Sequence, residues 1–173
     1  MTAVAPSFDA AFFRVALGRF ATGVTIVTTQ GDPDAGPVGL TVSSFNSVSL
    51  QPPLVVWSLS AQSMSLPALD RSTRYVIQVL AADQMALANR FARGSAAERF
   101  AGLPLTRAPN GAPRLDLPCA AWFECHNRRR YTEGDHIIFI GEVEHCAFSD
   151  ALPLVYHAGG YDLTPAVIPG KSL

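Results

Sequence analysis

The stretch "GLTVSSFNSVSLQPPLVVWSLS" (39–60) decides the fold. Its apolar residues, among them Val42, Phe45, Val48, Leu50, Val55, Val56 and Trp57, include many β-formers, and it reads as extended chain. The spacing predicts strands at 38–43, 45–50 and 54–59, with Pro52 and Pro53 separating the last two. Yet Thr41, Ser43, Ser44, Asn46, Ser47 and Ser49 crowd positions where a core would take Val or Ile. Small side chains let a flat ligand approach the backbone, and hydroxyls and amides can satisfy carbonyls and ring nitrogens that are costly to bury unpaired. Turn chemistry on an exposed strand face explains the same composition, so this segment alone leaves both readings open.

Upstream, "VTIVTT" (24–29) is a β-branched strand and "QGDPDAGP" (30–37) a turn. "SFDAAFFRVALGRF" (7–20) has helical spacing, with Ser7 as its expected cap and Asp9 in its first turn. Downstream, "SMSLPALDRS" (63–72) is a short helix or a loop, "RYVIQVL" (74–80) a strand and "ADQMALANRFAR" (82–93) a helix. Residues 94–118, rich in Gly, Pro and Ala, read as a long irregular connection. "CAAWFECHN" (119–127) and "HIIFIGEVEHCAF" (136–148) are strands around a polar tip, and "LVYHAGGY" (154–161) adds an edge strand. This order lacks regular βαβ alternation, so the expected class is mainly β with inserted helices, an antiparallel barrel in one domain (1–173, core 8–163). Neither G-x-G-x-x-G after a strand nor a phosphate-binding P-loop motif occurs, so any nucleotide must be held by other means.

With 173 residues, 49% hydrophobic and 16% charged, the chain is long enough for one substantial core and too apolar for extensive disorder. A net charge of -1 gives no electrostatic case for nucleic acid or anionic membrane. No run reaches the ~20 apolar residues of a membrane span, and "MTAVAPSFDA" lacks the pattern of a signal peptide. Three Cys without a CxxC fit a reducing compartment, which points to the cytoplasm. So apolar a chain has trouble covering its own surface, and a twofold homodimer is the expected solution.

Five blocks in order, "RFATGVTIVTT", "GLTVSSFNSVSLQPPLVVWSLS", "RYVIQVLAADQMALANRFA", "GDHIIFIGEVE" and "PLVYHAGGY", resemble the flavin reductase-like family, the small reductase components of two-component flavin monooxygenases. The resemblance spans residues 8 to about 163. It implies an FMN-binding type of split β-barrel, a homodimer that binds FMN or FAD, takes hydride from NADH or NADPH and supplies reduced flavin to a partner oxygenase. It also implies that Thr41, Val42, Ser43 and Ser44 lie along the isoalloxazine edge, with Ser47 following in the same block. Ser58, Ser60 and Ser63 then match the loop approaching the ribityl and phosphate, and Phe91 and Arg99 the segment near the phosphate or adenylate end. His136 matches the residue that contacts the nicotinamide nucleotide, and Tyr161 lies over that pocket. Gln78 is a departure, since the family often has Asn there.

In "GDH" (134–136), Gly134 relieves a tight turn and Asp135 can brace the backbone or His136. Hydride transfer requires stacking and exclusion more than acid–base groups, so the absence of a Ser-His-Asp or paired-carboxylate motif is no objection. Arg128, Arg129 and Arg130 are read as a solvated basic loop as readily as phosphate ligands, and stay outside the expected site. Cys125–His126 and His145–Cys146 suggest zinc, but adjacent strand residues point to opposite faces, so buried thiols and satisfied imidazoles explain them better and no metal is expected. Two rivals remain open: a noncatalytic flavin- or haem-binding module, and a flavin enzyme acting on another acceptor.

Overall fold

The computed structural model describes residues 6–34 and 36–162. In chain order its elements are α1 (Ala10–Leu17), β1 (Thr22–Gly23), β2 (Thr25–Gln30), β3 (Pro37–Val42), β4 (Asn46–Leu50) and β5 (Pro53–Ser60). There follow α2 (Leu66–Arg71), β6 (Arg74–Val79), α3 (Met85–Phe91), α4 (Ala96–Phe100), β7 (Leu105–Arg107) and β8 (Pro113–Leu115). The last are β9 (Ala121–Glu133), β10 (His136–Phe148), β11 (Val155–His157) and β12 (Gly160–Asp162).

Seven strands form one sheet in the order β3-β2-β6-β9-β10-β5-β4, antiparallel throughout. Its two edge strands, β3 and β4, are consecutive in the chain and joined only by Ser43, Ser44 and Phe45. So short a link forces the sheet to curl until its edges meet, and β3 approaches β5 across the gap. The result is a split β-barrel of the expected mainly β class.

The period of two along each strand fills the interior. Val55, Trp57 and Leu59 of β5 point inward with Val27, Tyr75, Ile77, Cys125 and Phe139 from the neighbouring strands. The Trp57 ring stacks on Phe139, centroids 4.4 Å apart, and meets Tyr75 edge-on at 5.5 Å. Gly141 makes room for that arrangement, because a Cβ there would overlap the Tyr75 hydroxyl. Burial pushes the pKa values of the Tyr75 phenol and the Cys125 thiol up, so both stay neutral.

A second apolar cluster lies on the other side of β2, where Val24 and Ile26 pack with Leu80, Ala88, Phe91, Leu115 and Leu154. Both faces of β2 are thus covered, which explains why "VTIVTT" shows no polar alternation. Its buried hydroxyls are satisfied: Thr25 donates to the Val42 carbonyl at 2.9 Å and Thr28 to that of Pro113 at 2.6 Å.

Several expectations are corrected. Asp9, not Ser7, caps α1, accepting from the Phe12 amide at 2.8 Å. Helix α3 is shorter than 82–93. The connection 94–118 is not irregular throughout: it holds α4 and the β7–β8 hairpin. Ser95 and Glu98 form a reciprocal capping box for α4, a signal legible as S-x-x-E. Strand β9 runs to Glu133, so Arg128, Arg129 and Arg130 sit on a strand and not in a loop. Arg128 pairs with Glu142 at 3.1 Å and Arg130 with Asp70 at 2.9 Å. Residues 154–161 do not form one edge strand; β11 and β12 make a hairpin that pairs with β1 in a separate sheet. The expected core limit at residue 163 lies outside the described residues.

Gln78 has a clear role. Buried on the outer face of β6, its amide donates to the Leu115 carbonyl at 3.1 Å and accepts from the Leu115 N–H at 2.8 Å, tying β8 to the barrel. Glu124 does the same for the β7–β8 turn, accepting from the amides of Asn110 at 2.9 Å and Ala112 at 3.2 Å.

Candidate active site at the barrel split

The alternation that sends Trp57 and Leu59 inward turns Ser58 and Ser60 outward. Register then places His136 of β10 directly opposite Ser60, and residues opposite each other in a ladder share a face. The end of β3 supplies Leu40, Thr41 and Val42, and the link supplies Ser43 and Ser44. Together with Leu59, these residues line an open cleft of about 260 Å³ where the two sheet edges approach.

The serines and threonine divide by function. Ser44 Oγ accepts from the Ser58 N–H at 2.9 Å and donates to the Ser58 carbonyl at 3.1 Å, so it completes the ladder where β4 has not yet begun. Thr41 Oγ1 donates to the Ala88 carbonyl at 2.7 Å, fastening β3 to α3. Ser60 and Ser63 accept from the amides of Gln62 and Ser65, both at 3.3 Å, and shape the turn after β5. The Ser43 hydroxyl has no partner among the described residues. Nor have the main-chain N–H groups of Ser43, Ser44 and Phe45, which lie past the last β2–β3 pair and before the first β4–β5 pair. The hydroxyls of Thr41, Ser44, Ser60 and Ser63 therefore hold the loop, and the groups left without a partner among the described residues are three amides and the hydroxyls of Ser43 and Ser58. That donor set suits a planar rim of carbonyls and ring nitrogens.

Ser43 is also a junction. It lines the cleft, a hollow of about 240 Å³ with Val24, Thr41, Ala92, Tyr156 and Tyr161, and a larger one of about 570 Å³ between α1 and residues 156–159. The rings of Tyr156 and Tyr161 meet edge-on at 5.4 Å, and burial raises the pKa of the Tyr161 phenol, keeping it neutral. Arg14 and Arg19 on the wall of this larger hollow were not singled out from sequence. Their signal was faint: two arginines flanking Gly18 at the end of a helix.

His136 is 47% exposed at the cleft mouth, with Nδ1 2.7 Å from Asp135 Oδ1. The hydrogen bond from His136 holds the Asp135 carboxyl below the usual carboxylate range. The turn itself requires Gly134, whose φ is +59°.

Not every expected residue comes to the cleft. Ser47 lies exposed on β4 and Ser63 beyond β5, and neither lines it. Phe91 is wholly buried, edge-on to Phe100 with centroids 5.0 Å apart and against Gly39. Arg99 donates to the carbonyls of Gly39 at 2.7 Å and Arg93 at 3.0 Å. These two side chains support β3 from behind, because a glycine at position 39 leaves a hollow that rings must fill. Among the described residues no group of three or more His, Cys, Asp or Glu could hold a metal ion, and Cys119, Cys125 and Cys146 are free thiols. No helix among the described residues is long and apolar enough to cross a membrane.

A flavin fits the split on its donor set, on small side chains at the link and on three adjacent hollows that share Ser43 as a lining residue. Comparison with known proteins agrees. The flavin reductase like domain matches residues 17–164. An FMN reductase (NADH) of Agrobacterium fabrum is 44% identical over 149 residues, 86% of this chain and 83% of its own length. The reductase component of a flavin-dependent trigonelline monooxygenase of Acinetobacter baylyi is 39% identical over 88% of this chain, which spans 48% of that protein. An NADH:FAD oxidoreductase of Streptomyces globisporus, solved with NAD and FAD fragments, superposes with a TM-score of 0.85 at 30% identity, covering 96% of this chain and 99% of that one. On the barrel, its split and these matches, the chain belongs to the flavin reductase-like domain family.

Proposed function

We propose that the protein is an NAD(P)H:flavin oxidoreductase that reduces FMN or FAD and supplies the reduced flavin to a partner monooxygenase. The observation that carries this reading is the run of unpartnered amides at Ser43, Ser44 and Phe45, held open by the Ser44–Ser58 bridge. When bound, flavin supplies an electrophilic N5 and reduced nicotinamide the hydride. The protein's part is positional. The link amides and Ser43 bind the ring edge, Val42 lies beside them at the cleft, and Ser44 fixes their direction. Ser58 and Ser60 line the opposite wall, and His136 orients the nicotinamide nucleotide. Ser47, Ser63, Phe91 and Arg99 support the site from outside the cleft. Tyr161 flanks it through the neighbouring hollow.

The active form is a homodimer. Helix α1 buries none of its residues, although Phe12, Val15 and Leu17 are each more than half exposed on it, and it borders the hollow that opens at Ser43. A second copy would cover that helix and wall the site. Three Cys without a CxxC support a reducing, cytoplasmic setting, and a net charge of -1 gives no electrostatic case for nucleic acid or an anionic membrane as a partner. The whole chain acts as one flavin reductase domain.

Steady-state oxidation of NADH and NADPH with FMN, FAD and riboflavin tests the activity and both specificities. Flavin-dependent oxidation is expected. A protein that binds flavin yet leaves both nucleotides unoxidised would be a binding module instead. Sedimentation at micromolar protein should show a dimer, and a lone monomer-sized species would remove the second copy from the site.

A further inference from the structure

We propose that Asp135 is a positioning residue that fixes His136 with its proton on Nδ1, so that Nε2 faces the cleft as a hydrogen-bond acceptor; this rests on the reductase reading above. An ionised carboxylate only accepts hydrogen bonds, so at 2.7 Å the Nδ1 atom must be the donor. In the neutral ring the lone pair is then on Nε2, which has no partner among the described residues. Asp135 is itself anchored, because its carbonyl accepts from the Ala61 N–H at 2.9 Å. That bond joins the β9–β10 turn to the end of β5, and so sets the height of the His136 ring above Ser60.

The tautomer decides what the ring recognises. An acceptor at Nε2 selects a donor on the incoming nucleotide, such as the nicotinamide carboxamide N–H or a ribose hydroxyl. A phosphate offers no proton at neutral pH and would face the Asp135 carboxylate, which is 93% exposed beside the ring. Glu133, opposite His136 on β9, adds a second negative charge on the same turn. His136 therefore meets the uncharged nicotinamide riboside end, and the phosphates lie elsewhere.

Two measurements test this together. Long-range ¹⁵N–¹H NMR of the His136 ring, taken at a pH where it is neutral, reads the tautomer directly in the wild type, Asp135→Ala and Asp135→Asn. Kinetics with NADH and with reduced nicotinamide riboside, which lacks phosphates, reads the contact. The wild type should show Nδ1–H, and Asp135→Ala should shift the ring towards Nε2–H, the form free imidazole side chains favour. Asp135→Asn, which keeps an acceptor oxygen, should fall between. Asp135→Ala should raise the KM for both donors about two- to tenfold, the range of one ordinary hydrogen bond, with flavin affinity unchanged. An Nε2–H ring in the wild type, or one indifferent to Asp135→Ala, would overturn the proposal. So would a KM shift confined to NADH, since the turn would then be reading phosphates. Failure of every donor to reduce flavin would instead remove the reductase reading, while the NMR result still decides the tautomer.

Discussion

Where β6, β9 and β10 run side by side, Tyr75, Cys125 and Phe139 share a core with Trp57, and the strands hold one another through long ladders, interrupted between β9 and β10 only by register shifts at Ile140/Gly141 and Val143/His145. Where β3 gives way to β4, the ladder stops, and a single serine hydroxyl bridges the gap to Ser58. The closed flank is stabilised by apolar area and ring packing. At the split, by contrast, stability comes from a few hydrogen bonds, and three amides are left for something outside the chain. The difference teaches why a serine-rich stretch is flanked by strong strands: the strands build the barrel, and the serines keep its seam narrow without filling it.

The comparison breaks most severely if the closed flank proves dispensable. Trp57→Ala removes the ring between Phe139 and Tyr75 and should cost about 3–5 kcal/mol, read by denaturant unfolding. A loss below ~1 kcal/mol would mean that the interior relaxes, and that the ring stack does not define the barrel.

A change at the mouth of the cleft, away from the Ser44–Ser58 bridge, should leave stability nearly alone and act on ligands. His136→Ala is expected to keep flavin affinity and raise the KM for NADH roughly ten- to a hundredfold, equivalent to about 1.5–3 kcal/mol. A collapse of the maximal rate at saturating NADH with KM unmoved would assign the ring to proton transfer instead.

Ser44→Ala sharpens the comparison because at the split one hydroxyl serves both stability and the ligand-facing link. Losing the bridge to Ser58 should cost about 1 kcal/mol of stability, since the side chain is exposed and water replaces part of the bond. Flavin should bind more weakly in the same variant, as the link amides lose their direction. Unchanged binding would show that the link holds its shape unaided.

The smallest effect concerns acid. The Arg74 guanidinium, bonded to Glu144 at 2.7 Å, holds that carboxyl below its ordinary range. Because the folded pKa is depressed, the pair contributes stability above the ordinary carboxylate range, and this is lost as pH falls through the folded value. Thermal midpoints of the wild type and Glu144→Gln should therefore converge at low pH. A gap that stays constant would assign the effect to packing.

The sequence made the barrel legible because its strands alternate or run apolar for reasons that pattern alone reveals. Trp57, Tyr75 and Phe139 all sit within strands expected from periodicity. The cleft was legible in part. Thr41, Val42, Ser43, Ser44, Ser58, Ser60 and His136 converge there as expected, yet pattern could not say which hydroxyls the fold itself consumes. That depends on register: Ser44 meets Ser58 only because β4 starts two residues later. Phe91 and Arg99 lie outside the cleft for a similar reason, since Gly39 opens the hollow that draws the Phe91 ring beneath β3 and Arg99 reaches the Gly39 carbonyl. The bounds of α3, α4 and the β7–β8 hairpin were obscured because short elements carry little periodic signal.

The central claim, that flavin is reduced at the split, is tested most directly by anaerobic stopped-flow bleaching of flavin by NADH in the wild type and in Ser43→Leu. Ser43 is exposed, makes no hydrogen bond among the described residues and lies where the hollows meet, so added bulk there should spare the fold. The account predicts that the wild type bleaches flavin with a rate that saturates in NADH. In the folded variant, flavin affinity should fall about tenfold or more, the equivalent of at least ~1.4 kcal/mol. A correctly folded Ser43→Leu protein that binds and bleaches flavin as the wild type does would contradict it.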